Sequence, residues 1–407
     1  MISDAKQILT AFTAKIPPTV LGSERVNYIA DHIHELQNEQ RLQMLQLTNS
    51  ILGTMIDRQA SDVELGGHGT QNYVWFRIFG RKERVADIPQ FTEDEASTLV
   101  IILLSKNQID FLLRERNLDF SYSFHYDKAQ LAVRFRADAY FDLDSIALNM
   151  RSIQTRIRPI ESLDFHPVAV KTMSHSYIKF GLSLITGITG SGKSTTLDAI
   201  VDFHNDTNPC HIVIIASPIE YVHKSRKAII KHREVGRDVN SFKEGVTQAL
   251  RQDPDIIVIG EMRDSDTIMA ALEVTDTGHK VFSTLHTSSA VESIDRIIAE
   301  VNPTEQERVR NRLADVLISV VSQKLVPSLD GKRVLAKEVL IVTPSVRAAI
   351  KNNNTSEIYL MINQGGPQGM VTMEQDLLRL FTEKKISKES AIAYANNKTR
   401  ILQLLKV

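Results

Sequence analysis

Two hydrophobic rhythms divide the chain. In "YVWFRIFGR" (73–81) and "QLAVRFRADAYF" (130–141) apolar and polar positions alternate, as in strands with one buried face. Short strands of this kind mix with helical stretches over residues 45–158. From about 169 onward the apolar runs are unbroken, as in "HIVIIA" (211–216) and "DIIVIG" (255–260). Strands buried on both faces need such runs, and helical stretches lie between them, so a parallel sheet covered by helices is expected, an α/β class fold. Between the two regions, "IRPIESLDFHP" (157–167) carries two prolines and reads as a linker. At the start, Pro17, Pro18 and Gly22 precede a helix with Ser23 at its cap, and Val26, Ile29, Ile33 and Leu36 recur at helical spacing. The plain reading is a packing helix, set against a dedicated binding role. The expected organisation is an extension over 1–44, a mixed domain over 45–158, a linker over 159–168 and an α/β domain over 169–407, its last helices starting at about 341. There is no tandem repeat and no long low-complexity tract.

Composition narrows the function. A chain of 407 residues has room for two or three domains. Lys plus Arg number 48 against 49 Asp plus Glu, a net charge of −1, so no overall basic field draws the chain to nucleic acid. Cys210 is the one cysteine; it cannot form an internal disulfide or a multi-cysteine zinc site, and a reducing cytosol fits. "LVIILL" (99–104) is among the longest apolar runs, far short of a bilayer span. The start, "MISDAKQILTAF", lacks the basic segment and apolar core of a signal peptide. Membrane association is therefore expected to be peripheral or through a partner.

Candidate chemistry starts at "LSLITGITGSGKSTTLDAI" (182–200): an apolar strand, a Gly-rich turn, then a helix start. Gly187, Gly192, Lys193 and Ser194 fit the G-x-x-x-x-G-K-[ST] pattern. Glycines let the backbone curl so that its N–H groups point at phosphate oxygens, and the helix adds its positive dipole end. Gly187, Thr189, Gly190, Ser191, Gly192, Lys193, Ser194 and Thr195 are the candidate nucleotide contacts. Lys193 would reach the β- and γ-phosphates, and the Ser194 hydroxyl would sit on Mg²⁺. The alternative is a chance glycine loop, which the flanking strand and helix disfavour.

Two further residues follow apolar strands. Ile256–Ile259 lead through Gly260 to Glu261, and ligands of open α/β sheets collect at such carboxyl ends. A carboxylate there orients water for in-line attack or takes its proton; otherwise Glu261 is a solvated loop residue. Val281–Leu285 lead to His286, among Thr284, Thr287, Ser288 and Ser289. A lone histidine is most often structural. This one stands where a γ-phosphate sensor would, with hydroxyls to hold its ring. His279 is left as structural or without an assigned role.

"GITGSGKSTTLDAI", "KHREVGRDVNSF", "ALRQDPDIIVIGEMRD" and "STLHTSSAVESIDRI", in this order, resemble the PilT family, the hexameric type IV pilus retraction ATPases of the secretion-ATPase superfamily. The resemblance runs from about 45 to 390. "RQASDVEL" (58–65) resembles the start of the family's PAS-like N-terminal domain, "TPSVRAAIKNNN" (343–354) an altered C-terminal retraction motif, and "GGPQGMVTMEQDLLRLFTEKKIS" (365–387) the last helical region. It implies a PAS-like α+β domain followed by a RecA-like P-loop NTPase domain with a C-terminal helical region. Six copies would form a ring with ATP and Mg²⁺ between lobes. The ring would lie at the cytoplasmic face of a bacterial inner membrane, working on a pilus platform protein and, in some systems, beside a paralogous ATPase. By position, Lys193 and Ser194 become the Walker A residues, Glu261 the Walker B glutamate, His286 the His-box histidine and Glu220 the last acid of the Asp box. Arg134, Arg136 and Arg151 match arginines of the nucleotide site; the alternative for each is an exposed strand charge.

The departures are local. Ala216 and Ser217 replace two acids of the Asp box, Asp144 stands where the family has an arginine, and the C-terminal motif keeps Arg347 but has Asn352 where an acid is expected. The groups of phosphoryl chemistry are kept, so an active ATPase with altered tuning is favoured over an inactive relative. Other open readings are an assembly, type II secretion or conjugation-type ATPase, and a weakly hydrolysing nucleotide-gated ring partner. Assembly motors usually carry a four-cysteine zinc insertion that Cys210 alone cannot build.

Overall fold

A computed structural model describes residues 2–126, 131–153 and 157–406. Met1, residues 127–130 and 154–156, and Val407 lie outside the described residues, and with them Gln130 of the strand expected over 130–141. The chain separates into two compact units: residues 1–155 with 217–221, and residues 156–216 with 222–407.

The alternating pattern of the first unit builds one antiparallel sheet. Its strands are β1 (Asp62–Gly66), β2 (Trp75–Ile78), β3 (Arg81–Arg84), β4 (Asn117–Tyr126), β5 (Leu131–Asp142) and β6 (Ser145–Ser152), in the order β3-β2-β1-β6-β5-β4. Side chains alternate between faces, so Phe135, Ala137 and Ala139 are buried while Arg136 is exposed. The single strand expected over 73–81 is instead a hairpin. Phe79 and Gly80 take φ of 47° and 84°, the two-residue turn whose twist suits paired strands.

Helices Ile2–Thr13, Glu24–His32, Asn38–Asp57 and Glu93–Ile101 share a core with the sheet, in which Leu9, Ile29, Met44, Leu99 and Phe135 are fully buried. The described residues up to 44 therefore contribute to this core, from Ala5 through Met44. Ser23 stands at the expected cap position, but in helical conformation and without a capping hydrogen bond. Arg25 anchors that helix instead, donating to Asp94 at 2.6 Å.

The unbroken apolar runs of the second unit build a seven-stranded sheet, β13-β12-β7-β11-β10-β8-β9. Its strands are β7 (Gly181–Thr186), β8 (His211–Ala216), β9 (Ile229–Glu234), β10 (Ile256–Ile259), β11 (Lys280–Leu285), β12 (Leu317–Pro327) and β13 (Arg333–Ile341). All neighbours are parallel except β12 and β13. Leu182, Leu184, Val213, Ile257 and Val281 are fully buried between helix layers. The proline-bearing stretch after 157 holds a short turn, Ile160–Leu163, and opens a helix, Pro167–Met173, with proline at its first position. The last helices pack Met373, Leu377, Leu380 and Ile401 against Val326 in a core of their own.

Candidate active site

β7 delivers the phosphate loop. The Gly187 amide donates to the Leu285 carbonyl at 3.2 Å, holding the loop's start in register with β11. Gly187, Gly190 and Gly192 then take φ of 151°, 80° and 90°. Gly187 is also crowded: a Cβ there would lie 2.3 Å from Ser191 Oγ and 2.6 Å from the Gln323 carbonyl oxygen. The helix Lys193–Thr207 follows at once. Lys193 is buried, and its Nζ donates to the carbonyls of Gly187 (2.7 Å) and Ile188 (3.2 Å), so the ammonium is kept at the loop. Ser191 Oγ is buried with no hydrogen-bond partner, an inward polar atom that a phosphate oxygen would satisfy. Thr189, Gly190, Ser194 and Thr195 are exposed.

β7, β11 and β10 are neighbours, so the loop, His286 and Glu261 follow adjacent strand ends. Glu261 is mostly buried; its Oε2 lies 2.8 Å from Arg263 Nε and 3.7 Å from His286 Nε2. Burial pushes the His286 ring below its ordinary pKa; the Lys193 charge adds to this and Glu261 opposes it. The neighbouring hydroxyls do not hold the His286 ring, contrary to expectation. Thr284 Oγ1 donates to Gly260 O, Thr287 pairs with Ser293, Ser288 donates to Glu292, and Ser289 caps the helix Ala290–Ala299. The helix start consumes the hydroxyls of Thr287, Ser288 and Ser289, since its first-turn groups have no intrahelical partners, while that of Thr284 is spent on the carbonyl that follows β10. Arg296 donates to the His286 carbonyl at 3.2 Å.

Three supporting residues escape the sequence reading. Arg263, two positions past Glu261, had a visible signal in its place within "GEMRD". Arg296 and Gln323 had none: Gln323, on β12, reaches Thr196 of the loop helix at 2.7 Å across 127 residues.

In the first unit, the register sets Arg136 opposite Arg151, and Arg151 opposite Asp62. Arg151 Nε lies 2.7 Å from Asp62 Oδ1; Arg134 donates to Ser121 Oγ (3.0 Å) and to the Ile219 carbonyl (2.9 Å). Arg136 lies 3.5 Å from Asp119 and 4.0 Å from Glu220, which is half-exposed in the segment 217–221. Arg136 and Glu220 are thus brought together, with Arg134 on the carbonyl just before Glu220, while Arg151 is paired with Asp62. Asp144 is exposed in the β5–β6 turn, and a Cβ on Gly22 would meet its carboxylate at 3.3 Å. Ala216 ends β8, where a Cβ on Gly260 would come within 3.0 Å of its Cβ. Arg347 lies 3.8 Å from Asp315, and Asn352 caps the end of the helix Pro344–Lys351.

Among the described residues no group of three or more His, Cys, Asp or Glu is arranged to hold a metal ion, and no helix is long and apolar enough to cross a membrane. A Gly-rich loop after a central parallel strand, with a carboxylate and a histidine on the neighbouring strand ends, defines the class: a P-loop nucleoside-triphosphatase domain. A family model described as "Type II/IV secretion system protein" matches residues 37–357. The type IV pilus "retractation ATPase PilT" of Pseudomonas aeruginosa is 39% identical over 77% of this chain and 89% of that protein. The type IV pilus ATPase PilU of the same organism is 31% identical over 88% of this chain and 91% of that protein. A crystal structure of the pilus retraction motor PilT with bound ADP superposes with a TM-score of 0.77 at 35% identity, covering 87% of this chain and 98% of that one. The chain belongs to the type II/IV secretion system protein family, and its sequence and fold place it with the PilT ATPases.

Proposed function

We propose that this chain is a motor that hydrolyses ATP, as a ring of six copies, to power type IV pilus retraction. The carrying observation is the meeting of the Lys193 loop, Glu261 and His286 on adjacent strand ends. ATP enters as substrate. The loop amides and Lys193 bind its phosphates, and the ammonium exchanges its loop carbonyls for phosphate oxygens. Glu261 orients a water in line with the γ-phosphorus and takes its proton as the new P–O bond forms and the bond to the ADP oxygen breaks. His286 reads the γ-phosphate through its ring nitrogen, and Arg263 orients the Glu261 carboxylate. The residues present suit a magnesium nucleotide, since the exposed Ser194 hydroxyl offers an oxygen donor of the kind a hard cation takes. Bound there, magnesium would neutralise charge on the transferring phosphoryl group. Arg134, Arg136, Arg151 and Glu220 act on the nucleotide by their positions in the family's motifs. The ring acts at the cytoplasmic face of the inner membrane on a platform protein of the pilus machine.

A second reading has one observation in its favour: Ala216 and Ser217 remove two Asp-box carboxylates, which suits a weakly hydrolysing partner in a mixed ring. Mg²⁺-dependent ATP hydrolysis by size-fractionated protein separates the two. The motor reading expects turnover in a hexamer-sized fraction, falling by at least about 100-fold in Lys193→Ala and Glu261→Gln. Wild-type protein that binds ATP yet turns over no faster than Glu261→Gln is a ring partner and not a motor.

A further inference from the structure

The turn that carries His286 is tied to the C-terminal end of the chain by buried polar groups that phosphoryl chemistry does not use. Glu338, on β13, is almost fully buried, and its Oε1 accepts the Ala290 amide at 2.8 Å. The Met373 amide is its second backbone donor. Glu374 is fully buried; it accepts the Asn397 amide at 2.7 Å and the Tyr359 hydroxyl at 3.2 Å. Lys324, on β12, donates to Asn396 Oδ1 at 2.6 Å and to the Tyr394 carbonyl at 2.8 Å. Asn396 in turn donates to the Ser288 carbonyl at 3.1 Å. Ser288 and Ala290, on either side of the helix cap Ser289, are therefore both held by groups from the last 84 residues of the 407-residue chain.

Starting the helix does not need this arrangement. Ser289 already caps the Glu292 amide, and the Ala290 amide is a first-turn donor that water satisfies at an ordinary helix end. Burying two carboxylates is costly, and an apolar pair fills such a space at less cost. What the carboxylates add is direction: charge-assisted hydrogen bonds fix the helix start against the sheet more sharply than packing does.

We propose that Glu338 is a positioning residue, which with Glu374, Lys324 and Asn396 fixes the turn presenting His286 and so lets the C-terminal helices set its place over the phosphate loop. The proposal rests on the reading of His286 as the γ-phosphate sensor. The charged and titratable groups facing Glu338 are Glu374 from the helix Met373–Thr382 and Lys324 from β12, with Tyr359 and Glu292 beside those two. Burial raises the Glu338 carboxyl to about 7, so its ionisation falls within the working range.

Steady-state kinetics on full-length His286→Ala, Glu338→Ala, Glu338→Gln and the double Ala variant test it. Glu338→Ala should lower kcat by about tenfold with KM within about twofold, and the double variant should be no slower than His286→Ala alone. Glu338→Gln, which keeps an acceptor oxygen, should recover most of kcat and lose the wild type's rise in kcat between about pH 6 and 8. Slow His286→Ala with full-speed, folded Glu338→Ala overturns the positioning role alone, as do single-variant losses that multiply in the double variant. A full-speed His286→Ala overturns both this role and the sensor reading. Should Glu338→Ala fail to fold, Asn396→Ala at an exposed site serves: about a threefold loss of kcat supports the proposal, and an unchanged kcat overturns it.

Discussion

A single methyl group at Gly187 tests how the phosphate loop is built. The residue sits at φ 151° with Ser191 Oγ and the Gln323 carbonyl where a Cβ would go. Backbone atoms cannot rotate away as a side chain can, so Gly187→Ala must move the loop. Nucleotide affinity should fall by at least about tenfold with the fold kept, read by titration with a fluorescent nucleotide; unchanged affinity would show that the crowding is relieved locally. Gly190, with φ 80°, has nothing within 4 Å of such a Cβ, so its substitution tests backbone strain without a clash. Lys280 makes a different test at the opposite end of β11. It is fully buried, donating to the carbonyls of Thr172 (3.3 Å) and Ile178 (3.0 Å), and burial lowers its pKa to about 7. A lowered lysine pKa means that the folded chain binds fewer protons than the unfolded chain above about pH 7. The cost of burying the charge is therefore full below about 7 and shrinks as pH rises from there towards 10.5. Thermal unfolding of Lys280→Met should show its stability relative to wild type declining steadily from pH 7 to about pH 9. A constant difference would mean that Lys280 stays charged throughout.

At the scale of elements, the helix Ala290–Ala299 joins packing to chemistry. Ile294, Ile297 and Ile298 bury one face of it, and Ser289 closes its first turn three residues after His286. Ser289→Ala should cost about 1 kcal/mol of stability in denaturant unfolding, the ordinary worth of such a cap. Because the same turn presents His286, turnover should fall as well. Loss of stability with full turnover would separate the cap from the site. The β2–β3 hairpin shows the limit of reading elements by periodicity. Alternation continues through Phe79 and Gly80, so the pattern reads as one strand, and only the positive φ of both residues reveals the turn.

At the scale of the molecule, the first 44 residues change meaning. Outside the family resemblance they read as an appendage, yet Leu9, Phe12, Ile29 and Ile33 share the buried core of the first unit. Lys6 and Thr10 bond Glu95, and Arg25 bonds Asp94, on a helix of that unit. Deleting 1–44 should therefore lower the thermal midpoint of the first unit by several degrees, to be seen in calorimetry, and not merely shorten the chain. An unchanged transition would return the segment to the status of an appendage.

The chain's own pattern determined the parts that depend on local geometry. Strand type follows from continuous against alternating apolar positions. The curled loop follows from glycines at fixed spacing before a helix, and the placing of Glu261 and His286 follows from each standing just after an apolar strand. Tertiary structure alone decided which strand ends are neighbours, because the order β7-β11-β10 is not the order of the chain. It alone decided that the hydroxyls beside His286 serve the helix and the neighbouring strand end and not the ring, that Arg151 pairs with Asp62, and that Glu338 reaches Ala290 across 48 residues. Hydrogen bonds and ion pairs between distant residues leave no period in the sequence; they exist only once the sheets have closed the distance.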